Sequence, residues 1–175
     1  AGGPAAWANS YSEAIKVFSN AGESGHYFKT AYGYALFPTI GKAGFIVGGA
    51  YGEGKVFVGG KHVGNTAMTH CSLGAQAGGQ AYSQIIFFEH EQAFKDFTAG
   101  NFEFSAQATA VAVTAGASAE ATTGGGTAAG ISGGRNDAAT VSGGYRKGMA
   151  VFTVATGGLM LEAAVGGQKF TYMPL

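Results

Sequence analysis

The sequence predicts a mainly β (α+β) domain: an antiparallel β barrel or sandwich with an N-terminal helix and one inserted helix. Three observations predict it. Segments with a two-residue period, punctuated by glycine, fill most of the chain from Tyr32 onward. Two stretches break that period with helical stripes, one near the start and one at mid-chain. At 175 residues, 46% of them hydrophobic, the chain has the size and apolar content of one domain with a real core.

Residues 1–8 are small and turn-prone and read as a loose N-terminal leader, leaving 9–175 as a single domain. Ser10 and Glu13 have capping-box spacing, at which each side chain satisfies the other's orphan backbone N–H. Tyr11, Ala14, Ile15 and Phe18 follow as one apolar helical stripe, with Gly22 as the stop and a second short helical piece over 26–31. Residues 43–51 and 55–58 read as strands around a hairpin turn at Gly52-Glu53-Gly54, because glycine reaches positive φ without a Cβ clash. A third strand is expected over 65–76, broken by Gly74, and a fourth over 81–88 with Tyr82, Gln84, Ile86 and Phe88 on one face.

Residues 89–99 form the inserted helix: Ala93, Phe94 and Phe97 face inward, Glu91 pairs with Lys95, and Gly100 ends it. Residues 104–117 alternate small residues with Gln, Thr and Val, as a long strand whose small face admits a close backbone. The Gly/Ala/Ser/Thr-rich 118–144 segment reads as a long loop or weak hairpin. Three closing strands follow at 149–155, 159–165 and 169–172, with Gly157-Gly158 and Gly166-Gly167 as two-residue turns.

Charge narrows the function classes. Charged residues are 11%, against roughly 25% in ordinary soluble domains, and ten Lys+Arg balance ten Asp+Glu. Such a chain has no general attraction for nucleic acid, so any membrane attraction must come from local basic clusters or apolar contact. The 32 glycines carry no G-X-Y period, which excludes collagen. Cys71 stands alone, so no intrachain disulfide forms, and no uncharged stretch is apolar enough to span a bilayer as a helix. A start at Ala1 without Met suits a processed N-terminus.

No motif predicts catalysis, a cofactor or a metal. Gly130-Ile131-Ser132-Gly133-Gly134 matches the G-x-S-x-G elbow, but no buried strand precedes Ser132, no helix follows, and no histidine lies downstream. Residues 49–55 resemble a phosphate loop, yet Val56 stands where a hydroxyl must hold magnesium and a strand replaces the helix. His70 and Cys71 are adjacent and on a strand point to opposite faces, while His90 between two glutamates reads as solvated surface. The basic groupings are Lys42, Lys55 and Lys61, and Arg146 with Lys147. Ordinary solubilising charge is the plain reading of these, and contact with anionic headgroups the sharper one.

Three blocks carry a resemblance. AYGYALFPTIGKAGF at 31–45 continues into GGAYGEG at 48–54; GGQAYSQIIFF at 78–88 precedes GNFEF at 100–104; and GYRKGMAVF closes at 144–152. In this order they resemble the SYLF domain family, in its stand-alone bacterial branch. The resemblance implies a lipid- or phospholipid-binding domain acting at a membrane surface, exported to the bacterial periplasm or envelope and in some members lipid-anchored. Family members that recognise phosphoinositides are thought to use a basic N-terminal helix, whereas this one carries Lys16 against Glu13. Bulk phospholipid, or an acyl chain held in a pocket, is therefore the expected ligand, and the actin binding of eukaryotic relatives is not carried over. Lys42, Lys55, Arg146 and Lys147 are the expected phosphate contacts, and Tyr32, Tyr34, Phe37 and Phe45 the expected acyl-chain contacts. The alternative is a structural or protein-interaction β domain that self-associates through an exposed strand edge without a lipid ligand.

Overall fold

A helix over Pro4–Asn20 (α1) leads into the fold in the computed structural model, which describes residues 4–42, 49–71, 81–113, 144–155 and 162–175. α1 starts earlier than the Ser10–Glu13 spacing predicts, so residues 4–8 are helical rather than a loose leader, and Ser10 lies inside the helix instead of capping it. The reason is local: proline suits a first helical position, and Ala5, Ala6 and Ala8 are the strongest helix formers. The predicted stripe packs inward, with Ala14 and Phe18 buried and Tyr11 and Ile15 half-buried. Ser24 Oγ donates to the Phe18 carbonyl over 2.7 Å and ties down the turn that follows. A one-turn helix, Tyr27–Thr30 (α2), completes this layer.

The strands are β1 (Gly33–Lys42), β2 (Ala50–Val58), β3 (Lys61–His70), β4 (Tyr82–Phe88), β5 (Phe102–Glu103), β6 (Thr109–Val113), β7 (Met149–Ala155), β8 (Glu162–Ala164) and β9 (Lys169–Pro174), with helix α3 (Glu91–Phe97) after β4. Among the described residues they form one nine-stranded sheet in the order β5-β9-β3-β2-β1-β4-β7-β6-β8. Every neighbouring pair is antiparallel except β6 and β7, which run parallel. The mainly β reading therefore holds with two corrections: the sheet is mixed, and it curls as a half-barrel rather than closing strand to strand.

The curl follows from connectivity. Residues 104–108 carry the chain from β5 at one end of the sheet to β6 near the other, and residues 165–168 carry it back from β8 to β9. These two links bond each other: the Phe104 N–H donates to the Gln168 carbonyl (3.1 Å), Gly167 N–H to Phe104 (3.0 Å), and the Val165 and Gly166 N–H groups to Ala108 (3.1 Å each). The ends of the sheet thus meet at a corner. Gly166-Gly167 is a turn as predicted, but it rounds this corner and does not join a hairpin. For the same reason the expected strand from Phe104 bends first and becomes β6 only at Thr109, and β7, β8 and β9 form no meander because β6 lies between β7 and β8.

Gly52-Glu53-Gly54 is not a turn. β2 runs straight through it, and the β2–β3 turn is Gly59-Gly60, both at positive φ (59° and 80°). Gly52 and Gly54 serve close approach instead, where β1 bulges between Leu36 and Thr39. A Cβ on Gly54 would lie 2.6 Å from the Leu36 oxygen and 2.7 Å from the Phe37 ring. The expectations for Gly74, residues 118–143 and Gly157-Gly158 lie outside the described residues.

Two cores result. Inside the curl, Phe37, Ile40, Val56, Met68, Ile86, Phe88 and Phe170 pack with Ala93 and Phe97 of α3. Phe170 of β9 reaches across two strands to Phe37 of β1, centroids 5.5 Å apart, and also meets Phe97 at 5.0 Å and Phe104 at 5.5 Å. Gln168 at the corner and Gln84 on β4, both fully buried, exchange amide hydrogen bonds of 2.8 and 3.0 Å, and Gln168 also donates to the Tyr82 hydroxyl. On the outer face α1 and α2 cover β1, β4, β6 and β7 through Phe18, Tyr27, Leu36, Ile85, Phe87, Phe152 and Val113.

Candidate functional site

Among the described residues the helices leave most of the outer surface of β2, β3 and β9 uncovered, with α1 reaching its β2 side through Tyr11. Alternation puts Tyr51, Glu53, Lys55 and Phe57 of β2 on it. The register lines these up with β3 and β9 in rows: Tyr51–Thr69–Lys169, Glu53–Ala67–Thr171 and Lys55–Asn65–Met173. At its rim the Leu175 N–H donates to the Val63 carbonyl (3.1 Å) and holds the last residue against β3. Met173 is 70% exposed and Leu175 75%, the only large apolar side chains so open among the described residues. Lys61 and Lys169 are exposed on the same three strands.

Lys55 is held in place. Its Nζ lies 4.4 Å above the centre of the Tyr11 ring, a cation–π contact that joins β2 to α1. Burial, and then the charge of Glu53, push the Tyr11 hydroxyl up to about 12. The Tyr51 hydroxyl donates to Glu53 Oε2 at 3.1 Å, and burial with this bond and this charge raises its pKa as well. His62 stacks at a tilt on Phe57, centroids 5.6 Å apart, while its Nε2–H donates to the Gly64 carbonyl and to Asn65 Oδ1. The face is therefore polar and aromatic, with cations on it and an apolar tip at one edge.

The predicted site residues do not gather in one place. Lys42 ends β1 opposite Ala50, whereas Arg146 and Lys147 form the exposed turn before β7 at the other end of the sheet, where Gly33 and Phe88 pair. The ten residues of β1 separate these ends by about 30 Å. Lys147 holds a positive φ of 55° in that turn, a conformation that lysine does not favour. Phe37 is fully buried inside the curl and Tyr34 packs between Phe28 and Phe57, so both act as core. Tyr32 is half-buried, 5.8 Å from the Phe94 ring, and Phe45 lies outside the described residues. Of the predicted set, only Lys55 stands on the helix-free face.

Three side chains with roles here had no distinguishing signal in the sequence. Met173 and Leu175 lie past the last expected strand at 169–172, and nothing local shows whether a helix covers them. His90 is exposed, as the sequence predicts, and in addition caps α3, its Nδ1 accepting from the Ala93 N–H at 3.2 Å. The His70–Cys71 expectation holds: His70 is 3% exposed and Cys71 is exposed. Among the described residues no three His, Cys, Asp or Glu side chains gather as a metal set, and no helix is long and apolar enough to cross a membrane. Ser132 lies outside the described residues.

Comparison with known proteins adds two findings. Residues 69–172 match the family model described as Ysc84, Las17-binding protein actin regulator. Beta cell expansion factor A of Aeromonas veronii is 31% identical over 158 residues, which is 89% of this chain and 51% of that protein. The chain thus spans about half the length of that curated relative.

Proposed function

The chain belongs to the Ysc84/SYLF domain family, and from that premise we propose that it is a non-catalytic phospholipid-binding module acting at a membrane surface in the bacterial envelope. The observation that carries this reading is the apolar tip of Met173 and Leu175 on the rim of the outer sheet face that bears Lys55 and Lys169. Apolar side chains entering a bilayer interface gain about 1.5–3 kcal/mol each at full burial. Each lysine near an anionic surface adds about 1 kcal/mol, screened by salt. Together these give reversible peripheral binding. The inside of the curl is filled by aromatic rings in contact, so a surface mode is favoured over an enclosed acyl chain.

Self-association through a strand edge is the less favoured alternative. The terminal strands β5 and β8 have two and three residues, and Pro174 removes a donor from the end of β9. Short edges of this kind offer a partner strand little backbone.

The test is co-sedimentation with neutral and anionic phospholipid vesicles at low and high salt. Binding is expected to need anionic lipid and to fade with salt. Met173→Ser with Leu175→Ser should weaken it about tenfold or more, and Lys169→Glu should lower it at low salt. Unchanged binding in both variants would remove this face from the mechanism. No binding to any vesicle would remove the lipid function.

A further inference from the structure

Side chains tie down the corner that joins the two ends of the sheet at two places, Gln168 and His70. One is the Gln168–Gln84 amide pair, which is neutral at any physiological pH. The other is His70, whose Nε2 lies 2.9 Å from the Gly166 carbonyl. A carbonyl only accepts, so Nε2 carries the proton and the neutral ring presents a bare lone pair at Nδ1. That Nδ1 is buried and has no hydrogen-bond partner among the described residues. The ring also lies along Gly167, where a Cβ would meet it at 3.7 Å and where φ is +91°.

We propose that the His70–Gly166 contact is an acid-sensitive latch on the corner of the curled sheet. Protonation places a second N–H at Nδ1, where no acceptor waits among the described residues, and a positive charge in a buried wall without a facing carboxylate. The surroundings offer no compensation. β2 presents Ala50, Gly52, Gly54 and Val56 to the inside of the curl, β3 presents Met68, Thr66 and Gly64, and the corner presents Val165, Gly166, Gly167 and Gln168. From β9 come Phe170 and Tyr172, the latter at the far end of the strand, and from β4 comes Tyr82. The charged neighbours Glu103 and Lys169 are exposed and pair with each other in register, and Cys71 is exposed. No carboxylate among the described residues of these elements faces the ring.

Burial lowers the His70 pKa below its ordinary 6.5, against a smaller opposing effect of the bond to Gly166. A histidine that folds neutral contributes no penalty above the unfolded value of about 6.5 and costs stability progressively as pH falls below it. The relevant window is therefore mildly acidic. Release of the latch loosens residues 104–108 and 165–168 before the central strands and bares Phe102, Phe104 and Phe170. This device does not depend on lipid binding.

Amide hydrogen exchange at pH 7.5 and 5.0, corrected for intrinsic rates, tests it on the whole chain. Protection of Phe104, Val165, Gly166 and Gly167 should fall about tenfold, while protection in the β1–β4 pair stays constant. In His70→Gln, a neutral donor in the same place, corner protection should not depend on pH. Equal loss in the variant, or none in the wild type, overturns the latch. Should the variant fold poorly, the imidazole nitrogen shifts of wild-type His70 decide: titration at or above 6.5 overturns it, and titration below supports it.

Discussion

Gly54 faces the inside of the curl on β2, across from the bulge of β1, and its missing Cβ makes room for the Leu36 carbonyl and the Phe37 ring. Neither neighbour moves freely: one is backbone, and the other is a fully buried ring packed on Phe170. Gly54→Ala is expected to destabilise by about 1–3 kcal/mol through overpacking. Gly41 is the control, because a Cβ there meets nothing within 4 Å. Gly41→Ala should be neutral or slightly stabilising, since alanine costs less backbone entropy on folding. Urea midpoints of the two variants check both. A Gly54→Ala midpoint no lower than that of Gly41→Ala would count against the close-approach reading.

Helix α3 is too short to persist by propensity, so its termini and its packing hold it. Ala93 and Phe97 bury one side of it, and His90 caps the other end through Nδ1. The Glu91–Lys95 pair at 3.7 Å is exposed at both ends and adds only a few tenths of a kcal/mol. His90→Ala should cost about 1 kcal/mol, and His90→Asp should restore most of it, because a carboxylate accepts the same N–H. The measurement is again urea unfolding with the slope unchanged. Equal loss in both variants would mean that the ring acts by packing beside Gly148, where an added Cβ would lie 3.2 Å from its Cε1, and not as a cap.

The whole molecule is a curled sheet with a helical layer over part of its back, and this asymmetry leaves β2, β3 and β9 open. Two tyrosines report on the helical layer. Tyr11 lies between α1 and β2, and Tyr145 packs edge-on against Tyr27 of α2 at 5.3 Å. Burial pushes both hydroxyls from 10.0 up to about 12, helped by the charge of Glu53 at Tyr11 and, at Tyr145, by Tyr27 and Glu89 against a bond to Thr30. An acid whose folded pKa is raised favours folding fully below the unfolded value, and that stability is lost as pH rises from about 10 through 12. Tyrosinate absorbance should therefore show these two protonated at pH 11, ionising together with loss of helical circular dichroism. Full ionisation of all eight tyrosines at pH 11 in a folded chain would contradict the packing of this layer.

Periodicity and glycine placement were enough to determine the mainly β class, the α1 stripe, β4, α3 with its ion pair and the bounds of β7. All of these depend on neighbours within a few residues, where side-chain period and backbone preference act directly. The family resemblance was equally legible, since it rests on local blocks. The tertiary structure alone decided the rest. Gly52 and Gly54 read as a turn because a glycine needed for close approach and one needed for positive φ look alike until the opposing strand is in place. Gly166-Gly167 read as a hairpin because a turn has the same local chemistry whether the next strand pairs beside it or across a curled sheet. The candidate face was hidden for a related reason. Which lysines share a surface, and which apolar side chains stay uncovered, depends on strand order and on where α1 comes to rest, and both are set by long-range packing.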